Sequence, residues 1–172
     1  MKKMQAKKLK RHAYTAAQWT WGLPQTLAGS ILYLAHRKDE HFDYNGARAT
    51  VWDKDAGISL GKFIFVPRKK ASRTSGAISS HKGHTHTTHI VHSDSPDYPK
   101  EKVDAFLLDH EYGHTIQSLI LGPFYLLAVG VPSMLWNRLP YFQRKRKQSG
   151  KSYYSAPFEK TANTLAARSK KD

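Results

Sequence analysis

The chain contains no cysteine, which excludes a disulfide framework, a thiolate metal site and a cysteine nucleophile. Any bound metal ion must then be held by histidine or carboxylate side chains. Acidic residues are scarce. Against 28 Lys and Arg stand 13 Asp and Glu, and the formal net charge is +15 before any of the ten histidines is protonated. Such a surface attracts polyanions, whether nucleic acid, an anionic membrane surface or an acidic substrate, and does not choose among them. No internal repeat of solenoid length is present. No compact Leu-rich run follows the basic N-terminus, so a cleavable signal peptide is not expected.

What is present is enough for one core. At 172 residues with 40% apolar side chains, the chain suits a single domain with tails. Residues 1–12 (MKKMQAKKLKRH) read as a basic, solvated tail. Residues 13–35 carry no charge; Gln18, Thr20, Gln25, Thr26 and Ser30 dilute the run, and Pro24 interrupts it. Leu27, Ile31 and Leu34 have the spacing of an amphipathic helix, on a core or in a membrane interface. From Tyr44 to Pro67 the period becomes strand-like, with Ala47, Ala49 and Val51 alternating and then Ile58–Val66 (ISLGKFIFV). These two runs predict a β-hairpin. Residues 67–92 form a basic Ser/Gly/His-rich loop, with room for a third short strand near 88–91. His81, His84, His86, His89 and His92 crowd its end; the alternatives there are a second metal site and a solvated face.

Asp97, Pro99 and Glu101 supply the capping residue, first-turn proline and early acid of a helix start. The helical pattern runs on to Leu121, where Gly122-Pro123 stops it. Within this helix lies His110-Glu111-Tyr112-Gly113-His114, an H-E-x-x-H pattern. Residues i and i+4 project from one helix face, so the two imidazoles can converge on one Zn²⁺. Glu111 then lies beside the ion, where it can take a proton from an activated water and return it to a leaving amine. A third ligand is required. No histidine follows His114, and the carboxylates after it are Glu159 and the final Asp172. Either an upstream residue or Glu159, in the first turn of a helix predicted over 157–168, completes the set. Asn163, one turn beyond Glu159, can accept a hydrogen bond from the Nδ1–H of a liganding histidine.

HEYGH followed by a helix carrying Glu159 and Asn163 resembles the gluzincin branch of zinc metallopeptidases, and in scale the minigluzincins. The resemblance covers residues 99–168. It implies His110, His114 and Glu159 as zinc ligands, Glu111 as general base, and an upstream sheet whose edge strand binds an extended peptide or protein substrate. The family often has Asp where Asn163 stands; a neutral amide orients the ring but stabilises its positive charge less. Tyr112, Tyr153 and Tyr154 are candidates to hydrogen-bond a tetrahedral oxyanion, with ordinary core packing as their alternative.

Residues 119–136 (LILGPFYLLAVGVPSMLW) form a second uncharged stretch, at the lower limit for a spanning helix. A full crossing would put Glu159 on the opposite side from His110 and His114. Gly122-Pro123 and Gly130-x-Pro132 favour a bent hairpin instead, buried or re-entrant, that brings Glu159 back. The expected fold is α+β. A small antiparallel sheet packs on the long HExxH helix, joined by a C-terminal helix and an apolar N-terminal helix, with the zincin-like domain over 13–168 and a tail at 169–172. The leading expectation is a zinc metallopeptidase, cytoplasmic or peripherally attached to a membrane. Its alternatives are a non-catalytic metal-binding protein and a nucleic-acid-binding protein, though no recognition helix or zinc-finger spacing is present.

Overall fold

The computed structural model describes residues 2–69 and 98–170. The strand expected near 88–91, the 81–92 histidine cluster, Asp97 and most of the 67–92 loop lie outside the described residues. Two helices open the chain, α1 (Lys2–Thr20) and α2 (Leu23–Ala35), with Pro24 in the first turn of α2. The basic residues read as a tail are therefore helical from Lys2 onward.

Four strands follow: β1 (Glu40–Tyr44), β2 (Ala47–Trp52), β3 (Ile58–Leu60) and β4 (Phe63–Pro67), in sheet order β1-β2-β4-β3. The fold is α+β as expected, but the sheet is mixed rather than antiparallel. Asn45-Gly46 makes the tight turn between antiparallel β1 and β2. The run Ile58–Val66 is not one strand: it folds back at Gly61-Lys62 into the antiparallel β3–β4 pair. β4 then lies parallel to β2, Ala49 opposite Ile64 and Val51 opposite Val66. The expected hairpin partner is thus adjacent but runs the other way, because one glycine reverses the chain inside an apolar run. β3 is left as a sheet edge.

Alternation along the strands divides the core between two faces. Tyr44, Ala47, Ala49, Val51, Ile64 and Val66 pack with Val103 and Leu108 on the face covered by helix α3 (Ala105–Leu121). Trp52, Phe63 and Phe65 pack with Leu32 and Tyr33 of α2 on the other. The long helix begins later than the sequence pattern implied. Pro99 accepts the backbone N–H groups of Lys102 and Val103 in a turn, and Asp104 is the cap, accepting from the Leu107 N–H at 2.9 Å.

After Leu121 come a 3-10 turn (Gly122–Phe124), a π-helical turn (Leu126–Gly130) and α4 (Val131–Arg138). The axis bends by 120° between the two arms, at the glycine, proline and π turn that cause sharp kinks. Helix α5 (Pro140–Ser149), a 3-10 turn (Tyr153–Ser155) and α6 (Pro157–Ser169) return the chain to α3. Among the described residues no single helix is long and apolar enough to cross a membrane.

Candidate metal centre

The two helices that carry the site touch because their contact residues are small. A Cβ on Gly113 would sit 2.0 Å from the carbonyl oxygen of Ala162, so only glycine permits this crossing. Ala162 and Ala166, one turn apart on α6, are both buried there. This close approach carries Glu159 to the face of α3 that bears both histidines.

His110 Nε2 lies 2.9 Å from Glu159 Oε2, His114 Nε2 lies 3.3 Å from the same oxygen, and the two nitrogens are 3.2 Å apart. All three residues are buried. A tetrahedral zinc with bonds of about 2.0 Å has ligand atoms about 3.3 Å apart, so this triangle matches one face of that tetrahedron. The outer nitrogens are held too. His110 Nδ1 meets Asn163 Oδ1 at 2.8 Å, and His114 Nδ1 meets Gln117 Oε1 at 2.7 Å. Gln117 donates through its Nε2 to the Phe158 carbonyl at 2.7 Å, which fixes its oxygen toward His114. Each ring therefore presents Nδ1–H outward and a bare Nε2 inward. With neutral rings so oriented, two nitrogen lone pairs and a carboxylate oxygen converge, an arrangement that calls for a cation, a metal ion or a proton, between them. These donors fit a divalent ion that accepts nitrogen and oxygen.

The electrostatics agree. Burial would raise the Glu159 carboxyl, but hydrogen bonds from His110 and His114 outweigh it and hold the group well below the carboxylate range. Burial would lower His114; its bond to Glu159 and the charge of Glu111 outweigh that and raise it.

The second oxygen of Glu159 is also committed. Oε1 accepts from Ser133 at 2.5 Å and from Tyr153 at 2.8 Å. The Tyr153 hydroxyl is therefore engaged with the Glu159 carboxylate, although its side chain lines the cleft. Tyr154 sets its ring edge-on to His110, centroids 4.9 Å apart, and burial pushes its hydroxyl up to about 12. Tyr112 lies elsewhere, between Tyr14 and Tyr44 in the core, reaching the Asn45 carbonyl.

Glu111 lies beside the triangle. Ser59 donates to both its carbonyl oxygen (2.7 Å) and its Oε2 (2.6 Å), tying it to β3. Burial raises its carboxyl, against the opposing influence of His114, His110 and Ser59. A Cβ on Gly57 would stand 2.2 Å from Glu111 Oε1, so glycine is what lets the carboxylate approach the strand. A cavity of about 380 Å³ opens here, lined by Gly57, Ser59, Glu111, His114, Tyr125 and Met134 among others. It runs between the β3 edge and the bent segment.

Four of these residues were not picked out from the sequence. Gln117 stands three positions after His114, a spacing at which helical side chains meet, and that was its available signal. Gly57, Ser59 and Ser133 have no local signal, because distant elements bring them to the site. No family model, curated protein or solved structure matches the chain.

Proposed function

We infer that the protein is a zinc-dependent peptide hydrolase of gluzincin type, with His110, His114 and Glu159 as ligands and Glu111 as general base. One observation carries this reading: three buried nitrogen and oxygen atoms able to bind a metal converge beside a buried carboxyl, at the head of an open cleft. A structural zinc site closes its coordination sphere with four protein ligands, whereas three leave a position open to water and substrate. When bound, the ion supplies Lewis acidity and a water of pKa about 7.

The chain's own groups do the rest. Glu111, its carboxyl raised by burial, takes a proton from the attacking water and passes it to the departing amine nitrogen. Ser59 holds that carboxylate in place through Oε2. Tyr154, protonated at neutral pH and edge-on to His110, is the candidate donor to the developing oxyanion, with Tyr153, which lines the cleft, engaged by Glu159. β3, a sheet edge that borders the cavity, is where an extended peptide would add as a further strand. The adjoining cavity is large enough for an apolar side chain.

The test is a paired measurement on protein stripped of metal. Zinc should rebind near one equivalent, measured by elemental analysis, and hydrolysis of a fluorogenic peptide mixture should return with it. Glu111→Gln should bind the same zinc and cut nothing. Wild-type protein that takes up no zinc through His110 removes the reading. Uptake without hydrolysis reduces it to a non-catalytic metal-binding protein.

A further inference from the structure

Except where Leu32 and Tyr33 pack on the sheet, helix α2 is inverted relative to a helix on an aqueous surface. Its buried residues are Gln25, Thr26 and Gly29, while Leu23, Leu27, Ile31 and Leu34 face outward, the last two 69% and 63% exposed. The buried side is a polar seam shared with α1 and α3. Gln18 donates to the Thr115 carbonyl, Ser118 to Gln18, Gln25 to Ser118 and to the Gly122 carbonyl, and Thr26 to the Gln18 carbonyl, all at 2.8–3.1 Å. Soluble helices turn their apolar stripe inward. Polar groups hydrogen-bonded inside, with aliphatic side chains outside, are how helices pack when the surroundings are hydrocarbon.

The bent segment continues this surface. Trp21 covers Gly122 so closely that a Cβ there would clash with its ring, which joins the two apolar runs. Beyond that junction Phe124 and Leu127 are 65% and 73% exposed, and neither α4 nor α5 buries a single residue fully. Trp19 and Trp21 lie exposed where the basic α1 gives way to the apolar α2, the position that tryptophan takes at a membrane–water boundary. So much contiguous exposed apolar surface marks an interaction site rather than ordinary scatter.

Charge identifies the partner. Both runs lie in stretches free of acid: residues 1–38 hold eight Lys and Arg and residues 112–158 hold six, without one Asp or Glu in either. A protein partner or a second copy of this basic face would need an acidic complement, which an anionic leaflet supplies. Length limits the depth. Helix α2, at 13 residues, is about 20 Å long against a hydrocarbon core of about 30 Å, and α4 is shorter. We propose that the face formed by α2, the Gly122–Gly130 bend and α4 embeds in one leaflet of an anionic bilayer, with the basic residues of α1 and α5 on its headgroups. This requires no metal, so it stands or falls separately from the hydrolase reading.

The experiment is co-sedimentation of the full chain with phosphatidylcholine vesicles, with and without phosphatidylglycerol, together with the velocity sedimentation of the lipid-free protein. Wild type should pellet with the anionic vesicles and at least about tenfold less with the neutral ones, a preference that added salt erodes. Leu27→Glu/Ile31→Glu and Leu127→Glu alter exposed positions. They should keep the fold, by circular dichroism, and lose binding by about tenfold or more at any salt. Wild type left in the supernatant with both vesicle types overturns the proposal. So does undiminished binding by the folded glutamate variants, or a stable lipid-free dimer that those substitutions dissociate.

Discussion

Glu159 holds both histidines through one oxygen and is held by Ser133 and Tyr153 through the other. Ser133 comes from α4 and Tyr153 from the turn before α6, so the two hydroxyls aim the carboxylate from opposite ends of the returning chain. Removing such a support costs metal affinity rather than the fold, by about 10–100-fold. Ser133→Ala and Tyr153→Phe should each weaken zinc binding in that range in competition with a chromophoric chelator, at unchanged circular dichroism. A second expectation concerns pH. The depressed Glu159 stabilises the metal-free protein above its ordinary 4.5, and that contribution is lost as pH falls toward the depressed value. The raised His114 contributes fully below 6.5 and loses its contribution as pH rises through its own elevated value. The raised Glu111 contributes fully only below 4.5 and loses its contribution as pH rises toward its own elevated value, which weights the optimum toward the acid end of the window. Metal-free protein should therefore melt highest between about 4.5 and 6.5, and zinc, which binds neutral rings, should remove the alkaline decline. Thermal melts across pH, with zinc and with chelator, decide it.

At the scale of elements the site depends on how closely α6 approaches α3. Gly113 faces the Ala162 backbone at a distance that no Cβ tolerates, and backbone cannot rotate away as a side chain can. Gly113→Val should push α6 outward, take Glu159 from the triangle and lower zinc affinity far more than helix propensity predicts. Measuring stability alongside separates the two effects: a variant that still folds but binds zinc like wild type would show that the crossing does not position the ligand. The Asp104 cap is a milder case, where Asp104→Ala should cost about 1 kcal/mol by chemical denaturation. Much of this level was legible in the sequence. HEYGH, the Gly122-Pro123 stop, the bend in 119–136 and the returning helix all follow from local spacing and breakers. The direction of β4 was not, since parallel and antiparallel neighbours share the same alternation and Gly61 gives a turn without saying where the chain goes next.

For the whole molecule, zinc linkage gives the largest measurable effect. A ligand at 100 times its Kd adds about 2.7 kcal/mol, which for a domain of this size is about 5–11 °C in Tm. A chelator should reverse it, and His114→Ala should abolish it. An unchanged Tm on zinc addition, at a concentration where uptake is measured, would place the ion outside the folded site. The inverted polarity of α2 belongs to this scale as well. Its neighbour β3 lines the cavity, so a protein docked by this face would hold the cleft near the lipid surface.

The chain's own order of residues decided the zinc-fitting chemistry. Two imidazoles one turn apart, an acid between them and no cysteine leave few other uses, because helix periodicity is local and needs no partner. Sequence also decided the charge and where it is absent. Only tertiary structure decided that Glu159 joins the two histidines, that Ser59 and Gly57 border Glu111, that Tyr153 is tied to the Glu159 carboxylate, and which side of α2 is buried. Apart from the Tyr153–Glu159 bond, six residues apart, those facts depend mostly on contacts between positions 45 to 100 residues apart, set by a glycine at one helix crossing and a bend at another. Spacing along a chain carries no record of such meetings until the backbone has brought them together.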